Sequence, residues 1–167
     1  NYGAAAQVNF NYGTDDLATA LLTPEQAAYG TNENPALENK YARGTYHGAS
    51  NLKLESNILF QIALKNMTEG MYATVEYTGH TGRLYTKTYN DSNFGVMGSY
   101  KICDIETMVI ADARQPITIT VYNADGSVAD TSYESIENYC AFAGASGLPI
   151  ELISYADSAY AFLHRND

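Results

Sequence analysis

The stretch LKLESNILFQIAL, residues 52–64, decides the fold. Leu52 and Leu54 alternate with charged residues, and every second residue from Ile58 to Leu64 is apolar. A period of two residues is typical of a β-strand with one buried face. Because such a face must be covered by other elements, this stretch predicts a sheet as the centre of the protein.

Other alternating runs predict the partner strands of this sheet. They cover Tyr72–Thr78, Leu84–Tyr89, Ile117–Tyr122 and residues 128–133, with a further short strand candidate at 106–110. Glycine-bearing turns at 78–82 and 123–126 join neighbouring runs into two hairpins, and the Asp-Gly pair of the second suits a type I′ turn. Residues 91–100 carry several glycines and predict no regular element.

Helical periods occupy both ends of the chain. Residues 1–30 combine apolar positions at spacings of four with capping residues, and Ser135 is placed to cap a helix that ends near residue 144. A closing helix of about fifteen residues follows Pro149. The sequence therefore predicts one α+β module, an antiparallel β-sheet or sandwich packed against N- and C-terminal amphipathic helices. Its parts are a helical segment 1–30, a β-rich core 44–133 and C-terminal helices 135–165.

The charge of the chain excludes several partner classes. Nineteen acidic and nine basic residues give a net charge of −10, which repels nucleic-acid phosphates and anionic membrane surfaces. No run of about twenty apolar residues is present, so membrane insertion is not predicted. A length of 167 residues suits a single domain with a hydrophobic core of its own. Because the chain opens within a helical pattern, we expect it to be a fragment of a larger multi-module protein.

The cysteines and histidines form no recognisable catalytic or metal motif. Cys103 and Cys140 lack metal or redox spacing, and either a disulfide between them or two free, buried thiols fits the sequence, the second being the more usual arrangement. His47, His80 and His164 lie in a loop edge, a hairpin turn and the chain's tail, and no GxSxG motif accompanies them.

A carboxylate pair is the remaining candidate for catalysis. Asp104 and Glu106 have the two-residue spacing that places side chains on one strand face, and paired carboxylates act in glycoside hydrolysis. The same spacing is more typical of a solvated sheet edge. We therefore predict no catalytic residues, no metal site and no cofactor, which means that the protein is not an enzyme.

Tyrosine supplies the best candidate for a binding surface. The chain has fifteen Tyr and no Trp, a composition typical of surfaces that recognise other molecules. In the run 83–89, one face alternates tyrosines with basic residues and the other carries Leu84, Thr86 and Thr88. The first face is expected to be exposed and to bind a ligand, either a protein or a glycan, or simply to cover the sheet edge with hydroxyls. Its residues, with one tyrosine of the preceding strand, are Tyr77, Arg83, Tyr85, Lys87 and Tyr89.

The two ends of the chain share a short pattern. YGAAA at residues 2–6 aligns with YADSA at 155–159, and an apolar residue follows four positions later in both. Two alanine-rich helices can share such a pattern by chance. Alternatively, each module of a tandem array ends with the helix that begins the next, in which case neighbouring modules of the parent chain are partners.

The opening residues, YGAAAQ at 2–7 and NYGTDDLA at 11–18, resemble a helix-and-loop signature of repeated modules in large surface and secreted proteins of gut Clostridia. SYADSA at 154–159 is similar to the terminal helix of the same family. The resemblance implies a non-catalytic binding module, extracellular or attached to the surface of a Gram-positive bacterium. It implies an adhesin or an immunoglobulin-binding, superantigen-like protein whose partner is a host protein or glycoprotein. A carbohydrate-binding module of a polysaccharide-degrading assembly and a structural spacer repeat are the alternatives.

Overall fold

The computed structural model describes residue 41 and residues 44–54, 57–143 and 148–167. In this part of the chain the strands are β1 (His47–Leu54), β2 (Ile58–Leu64), β3 (Tyr72–Thr78), β4 (Leu84–Tyr89), β5 (Gly95–Met97), β6 (Tyr100–Ile105), β7 (Ile117–Tyr122) and β8 (Val128–Glu134). A short 3-10 helix (Ile110–Asp112) precedes β7, and helices α1 (Ile136–Ala143) and α2 (Leu148–Leu163) follow β8. The predicted N-terminal helical segment 1–30 lies outside the described residues.

The strands form two antiparallel four-stranded sheets. Sheet A has the order β1-β2-β6-β5 and sheet B the order β4-β3-β7-β8. The sheets face one another as in a β-sandwich, and the C-terminal helices complete an α+β fold, as the sequence predicts. Both sheets place hairpin-connected strands side by side, β1 with β2 in sheet A and β3 with β4 in sheet B.

The structure corrects three details of the strand predictions. Residues 52–64 are not one strand, because β1 ends at Leu54 and pairs antiparallel with β2 from Ile58 onward. The strand predicted at 106–110 is wrong, since β6 ends at Ile105 and a 3-10 helix begins at Ile110. The unassigned residues 91–100 contain β5.

The turn predicted at 123–126 is also of a different type. A type I′ turn needs positive φ at both central residues, whereas Gly126 has φ 89° and Asp125 is not among the residues with positive φ. The amide of Gly126 donates to the carbonyl of Asn123, and the amide of Asn123 to the carbonyl of Ser127. The hairpin therefore has a three-residue loop that closes on a left-handed glycine. The β3–β4 hairpin repeats this arrangement with Gly82 at φ 89°.

The hydrophobic core lies between the two sheets. Every second residue of the central strands faces inward and is nearly inaccessible to water, as the alternating pattern predicts. These residues include Phe60, Ile62 and Leu64 of β2, Ala73 and Val75 of β3, and Ile117, Ile119 and Val121 of β7. Fully burying a large apolar side chain contributes about 1.5–3 kcal/mol to folding.

The helices pack at one end of the sandwich through polar as well as apolar contacts. The Ser135 hydroxyl accepts the amide of Asn138 at 2.9 Å, which confirms the predicted cap of α1. The guanidinium of Arg114 makes two 2.7 Å hydrogen bonds to Asp157 of α2 and pairs with Glu137 of α1. Arg114 therefore joins both helices to the segment before β7. Neither described helix is long and apolar enough to cross a membrane.

Truncating a core residue tests the sandwich. We expect Ile119→Ala to lower the free energy of unfolding by about 2–5 kcal/mol, because Ile119 is completely buried in a central strand. Leu84→Ala is the control, since Leu84 is 59% exposed, and we expect it to change stability by less than about 0.5 kcal/mol. Urea denaturation followed by circular dichroism measures both. Equal effects of the two substitutions would contradict the assignment of the inner face.

Candidate functional site

A cleft opens at one edge of the sandwich, between the edge strand of sheet B and the end of β6 in sheet A. Its volume is about 200 Å³. Four of the five side chains predicted as the ligand-binding set line it, namely Tyr77, Tyr85, Lys87 and Tyr89. Asp104 and Ile105 at the end of β6 form the opposite wall with the next two residues, Glu106 and Thr107, and Val75 and Thr86 also line the cleft. The structure thus brings the predicted tyrosines together in one concave surface.

Two hydrogen bonds cross between the sheets in this cleft. The Tyr89 hydroxyl donates to the backbone carbonyl of Asp104 at 2.5 Å, and the Tyr77 hydroxyl lies 2.6 Å from the Thr107 hydroxyl. Burial is the main cause that raises the pKa of both phenols. These tyrosines therefore stay neutral and hold the edges of the two sheets at a fixed separation.

The cations of the cleft lie over its aromatic rings. The Arg83 guanidinium is 4.8 Å from the centre of the Tyr85 ring, and the Lys87 ammonium is 4.8 Å from the centre of the Tyr89 ring. Tyr85 also stacks on Tyr77, with ring centres 4.9 Å apart and planes at 13°. Cation–π contacts orient the two basic side chains, which are exposed and supply positive charge beside the cleft.

The orientation predicted for this strip is wrong in part. The sequence predicts that all its tyrosines point to solvent, but Tyr77 and Tyr89 are only 3% and 1% exposed. The tyrosine face of β4 is its inner face, while Leu84, Thr86 and Thr88 point outward. Arg83 and Lys87 are exposed and Tyr85 is half-buried, so these three form the accessible part of the set.

A group of aromatic and acidic side chains holds the loop that precedes β4. The backbone amide of His80 donates to the carboxylate of Asp112 at 2.8 Å, and the imidazole Nδ1 of His80 lies 2.9 Å from Nε2 of His164. His164 also stacks on Tyr160 of α2 and pairs with Asp167. These contacts tie the β3–β4 loop to the C-terminal helix.

The glycine at the start of this loop lies against the cleft. A Cβ atom at Gly79 would lie 3.1 Å from the Tyr85 ring. That distance is tighter than ordinary van der Waals contact, so a larger residue would require the Tyr85 ring to shift. The sequence places Glu106 and Thr107 in a strand predicted at 106–110. In the structure both residues follow the end of β6 and line the cleft.

Of the other candidates, His47 does not line the cleft, whereas the carboxylate pair Asp104 and Glu106 does. Ser50 donates to Glu134 at 2.6 Å and lies 2.9 Å from His47, and the His47 and Glu134 side chains are completely buried. The serine stands between histidine and acid, unlike a catalytic triad, in which the histidine is central. The Gln61 amide donates to the carboxylate of Asp104 at 2.8 Å, which places that carboxylate in a side-chain ladder on sheet A.

The structure also shows the state of the two cysteines and whether possible metal ligands are grouped. Cys103 and Cys140 are free and buried, and burial raises the pKa of each thiol to about 12. Thiols at such a pKa stay protonated at neutral pH and behave as small apolar groups. In the described part of the chain, no three His, Cys, Asp or Glu side chains are grouped as metal ligands.

The Tyr89 hydrogen bond generates a prediction about pH. A tyrosine in an unfolded chain ionises near pH 10, whereas the raised pKa of Tyr89 keeps its proton bound in the native state. Above about pH 10 the native state therefore binds more protons, and its stability falls by up to about 1.4 kcal/mol per pH unit from this group. We expect Tyr89→Phe to make the free energy of unfolding fall less steeply above pH 10, as measured by urea denaturation.

The same variant loses the hydrogen bond to Asp104, so we expect it to be less stable at neutral pH by about 0.5–1.5 kcal/mol. Tyr133→Phe is the matched control at neutral pH, because Tyr133 is 46% exposed. An unchanged slope in Tyr89→Phe would show that this phenol is not responsible for the alkaline loss of stability.

Comparisons with known proteins return no relative of this chain. No protein-family model matches it, and searches of curated proteins and of solved structures find no match. The resemblance to repeated clostridial surface modules therefore stays a prediction. What the cleft binds is inferred from its own geometry and charge.

Proposed function

We propose that the protein is a non-catalytic binding module that recognises a protein partner through the cleft beside β4. The observation that carries this proposal is the convergence of Tyr77, Tyr85, Lys87 and Tyr89 on one concave surface. Arg83, the fifth residue, reaches the same place through its contact with Tyr85. Tyrosine and arginine are enriched among the residues that dominate binding energy in protein interfaces.

The position of the cleft also favours a polypeptide ligand. β4 is an outer strand of sheet B, so within the described residues one side of its backbone has no partner strand. An extended peptide can add to such an edge through backbone hydrogen bonds, while pockets beside the edge select its side chains. A volume of about 200 Å³ suits one or two such side chains. The exposed Arg83 and Lys87 favour acidic groups in the partner, and Asp104 and Glu106 on the opposite wall favour basic ones.

The aromatic contacts favour a protein over a glycan at this cleft. Sugar-binding platforms present a free ring face, often that of tryptophan, and the chain has no Trp. The Tyr85 ring already stacks on Tyr77 and carries the Arg83 guanidinium. The cleft therefore offers hydroxyl groups, ring edges, the Lys87 ammonium and the carboxylates of Asp104 and Glu106, which match the polar surface of a protein.

The expected setting follows from the composition and the resemblance. We propose that the module acts outside a Gram-positive cell, as part of a larger surface or secreted protein, with a host immunoglobulin or glycoprotein as its partner. The high tyrosine content and the low share of charged residues, 17%, support a displayed recognition surface. A module that binds neither proteins nor glycans would instead be a structural spacer.

The test uses the two exposed cations of the cleft. We expect the double variant Arg83→Ala with Lys87→Ala to bind purified immunoglobulin or mucosal glycoprotein at least tenfold more weakly than the parent, a loss of about 1.4 kcal/mol. Surface plasmon resonance measures the affinity, and circular dichroism checks that the fold is kept. Tyr89 is unsuitable for this test because its truncation would disturb the core.

Lys53→Ala with Lys65→Ala is the matched control, because it removes two exposed lysines that do not line the cleft. We expect it to bind like the parent. Equal loss in both double variants would assign binding to general charge and contradict the cleft. Absence of binding to every host protein offered would contradict the proposed function itself.

A further inference from the structure

Two carboxylates on one wall of the cleft have no cation beside them. Asp104 and Glu106 line the cleft at the end of β6. The Gln61 amide donates to one oxygen of Asp104 at 2.8 Å, and the Asn51 amide donates to Gln61 at 3.0 Å. This ladder fixes the direction of the Asp104 carboxylate. Among the described residues, neither Asp104 nor Glu106 forms an ion pair, so the charge of this wall is not neutralised.

The basic side chains of the cleft are held on the opposite wall. The Lys87 ammonium lies over the Tyr89 ring and the Arg83 guanidinium over the Tyr85 ring. Burial is the main cause that raises the pKa of the Tyr89 phenol, and the charges of the two carboxylates raise it further. The wall at the end of β6 therefore has a negative potential, which favours a cation from outside the protein.

The backbone of β4 offers hydrogen bonds on its outer side. The amide of Gly79 donates to the carbonyl of Arg83, which makes these two residues a hydrogen-bonded pair of the β3–β4 ladder. Hydrogen-bonded pairs alternate along an antiparallel ladder, so Leu84, Thr86 and Thr88 direct their amides and carbonyls away from β3. No strand in the described part of the chain pairs with this edge. An extended segment of a partner can therefore pair with β4 there.

A strand added to this edge would direct alternate side chains at the cleft. Residues directly opposite each other in antiparallel strands point to the same side of the sheet, so the partner residue opposite Tyr85 faces the cleft. Facing sheets are about 10 Å apart, and a side chain must be long to reach Asp104 and Glu106 on the other wall. Lysine and arginine carry their charge at the end of a long apolar stem. A basic residue opposite Lys87 would instead meet a like charge, which is unfavourable.

We propose that the cleft takes the lysine or arginine side chain of an extended segment of the partner protein, which pairs with the edge of β4. The ammonium or guanidinium group binds Asp104 and Glu106, and its apolar stem lies along the tyrosines of the cleft. The net charge of −10 attracts such a segment. This inference rests on the proposed function and names the part of the partner that enters the cleft.

An acidic side chain fits the same position less well, because it would face Asp104 and Glu106 across the cleft. Arg83 and Lys87 are exposed on β4, where they are available to acidic residues on either side of the basic one. The preferred segment thus has one basic residue inside the cleft and acidic residues beside it. This arrangement uses the charges of both walls.

A phage-displayed library of random dodecapeptides, selected on the immobilised protein, tests this inference. We expect the selected peptides to be enriched in Lys and Arg. Fluorescence anisotropy then compares a selected arginine peptide with the same peptide carrying citrulline, which keeps the shape of arginine without its charge. We expect the citrulline peptide to bind at least tenfold more weakly, because a hydrogen-bonded charge pair is lost. We expect the double variant Asp104→Asn with Glu106→Gln to lose the same factor with the arginine peptide and to bind the citrulline peptide like the parent.

Glu69→Gln with Asp91→Asn is the matched control, because it removes two exposed carboxylates that do not line the cleft, and we expect it to bind like the parent. If the double cleft variant folds poorly, Glu106→Gln alone keeps the test, since Glu106 is exposed and its substitution should still weaken binding of the arginine peptide.

Three results would overturn the inference: selected peptides rich in Asp and Glu, no enrichment over a blank surface, or equal binding of the arginine peptide by the parent and the cleft variants. Immunoglobulin binding that depends on Arg83 and Lys87 would still support the proposed function after any of them. The failure of this inference and the failure of the proposed function are therefore distinguishable.

Discussion

The rest of the structure depends on the mutual covering of two apolar sheet faces. Neither sheet can leave Phe60 and Ile62, or Ile117 and Ile119, in water, so the two must stack. The sheets differ in length at one edge, where β4 has six residues and β5 has three. At that edge one sheet does not completely cover the inner face of the other, and the cleft lies there. The candidate binding site is thus a consequence of how the core is closed.

Tyrosine suits this incompletely covered edge because each side chain has an apolar body and a polar tip. Tyr77 and Tyr89 bury their rings in the core and place their hydroxyls on Thr107 and on the carbonyl of Asp104. A phenylalanine would leave that carbonyl without its donor, and an aliphatic residue could not span the gap between the sheets. These two hydrogen bonds keep the walls of the cleft apart.

The sequence predicts the bounds of β3, β4 and β7 but not which side of β4 turns inward. The boundaries of β3, β4 and β7 agree with the alternating runs because each run has one face of Val, Ile, Ala or Tyr and another rich in Thr. In β4 both faces are polar, so periodicity separates Tyr85 from Thr86 without showing which is buried. That choice is made by Tyr77, the cross-strand neighbour of Tyr85 in the core. β5 has only three residues, which is too short for an alternating pattern to be recognised. The position of Thr107 in the cleft depends on its contact with Tyr77, a residue distant in the sequence.

β4 contributes several side chains to the cleft, and its register therefore decides which residues line the cleft. Its even and odd residues point to opposite sides, so a slip of one residue would send Tyr89 outward and Thr88 into the core. Several contacts prevent such a slip: Gly82 closes the hairpin at φ 89°, Tyr85 stacks on Tyr77, and Tyr89 donates to Asp104. These contacts keep Tyr85, Lys87 and Tyr89 on the side of β4 that lines the cleft. An edge strand with one face in the sandwich and the other in water can therefore line this cleft in one register only, because a slip of one residue exchanges its two faces.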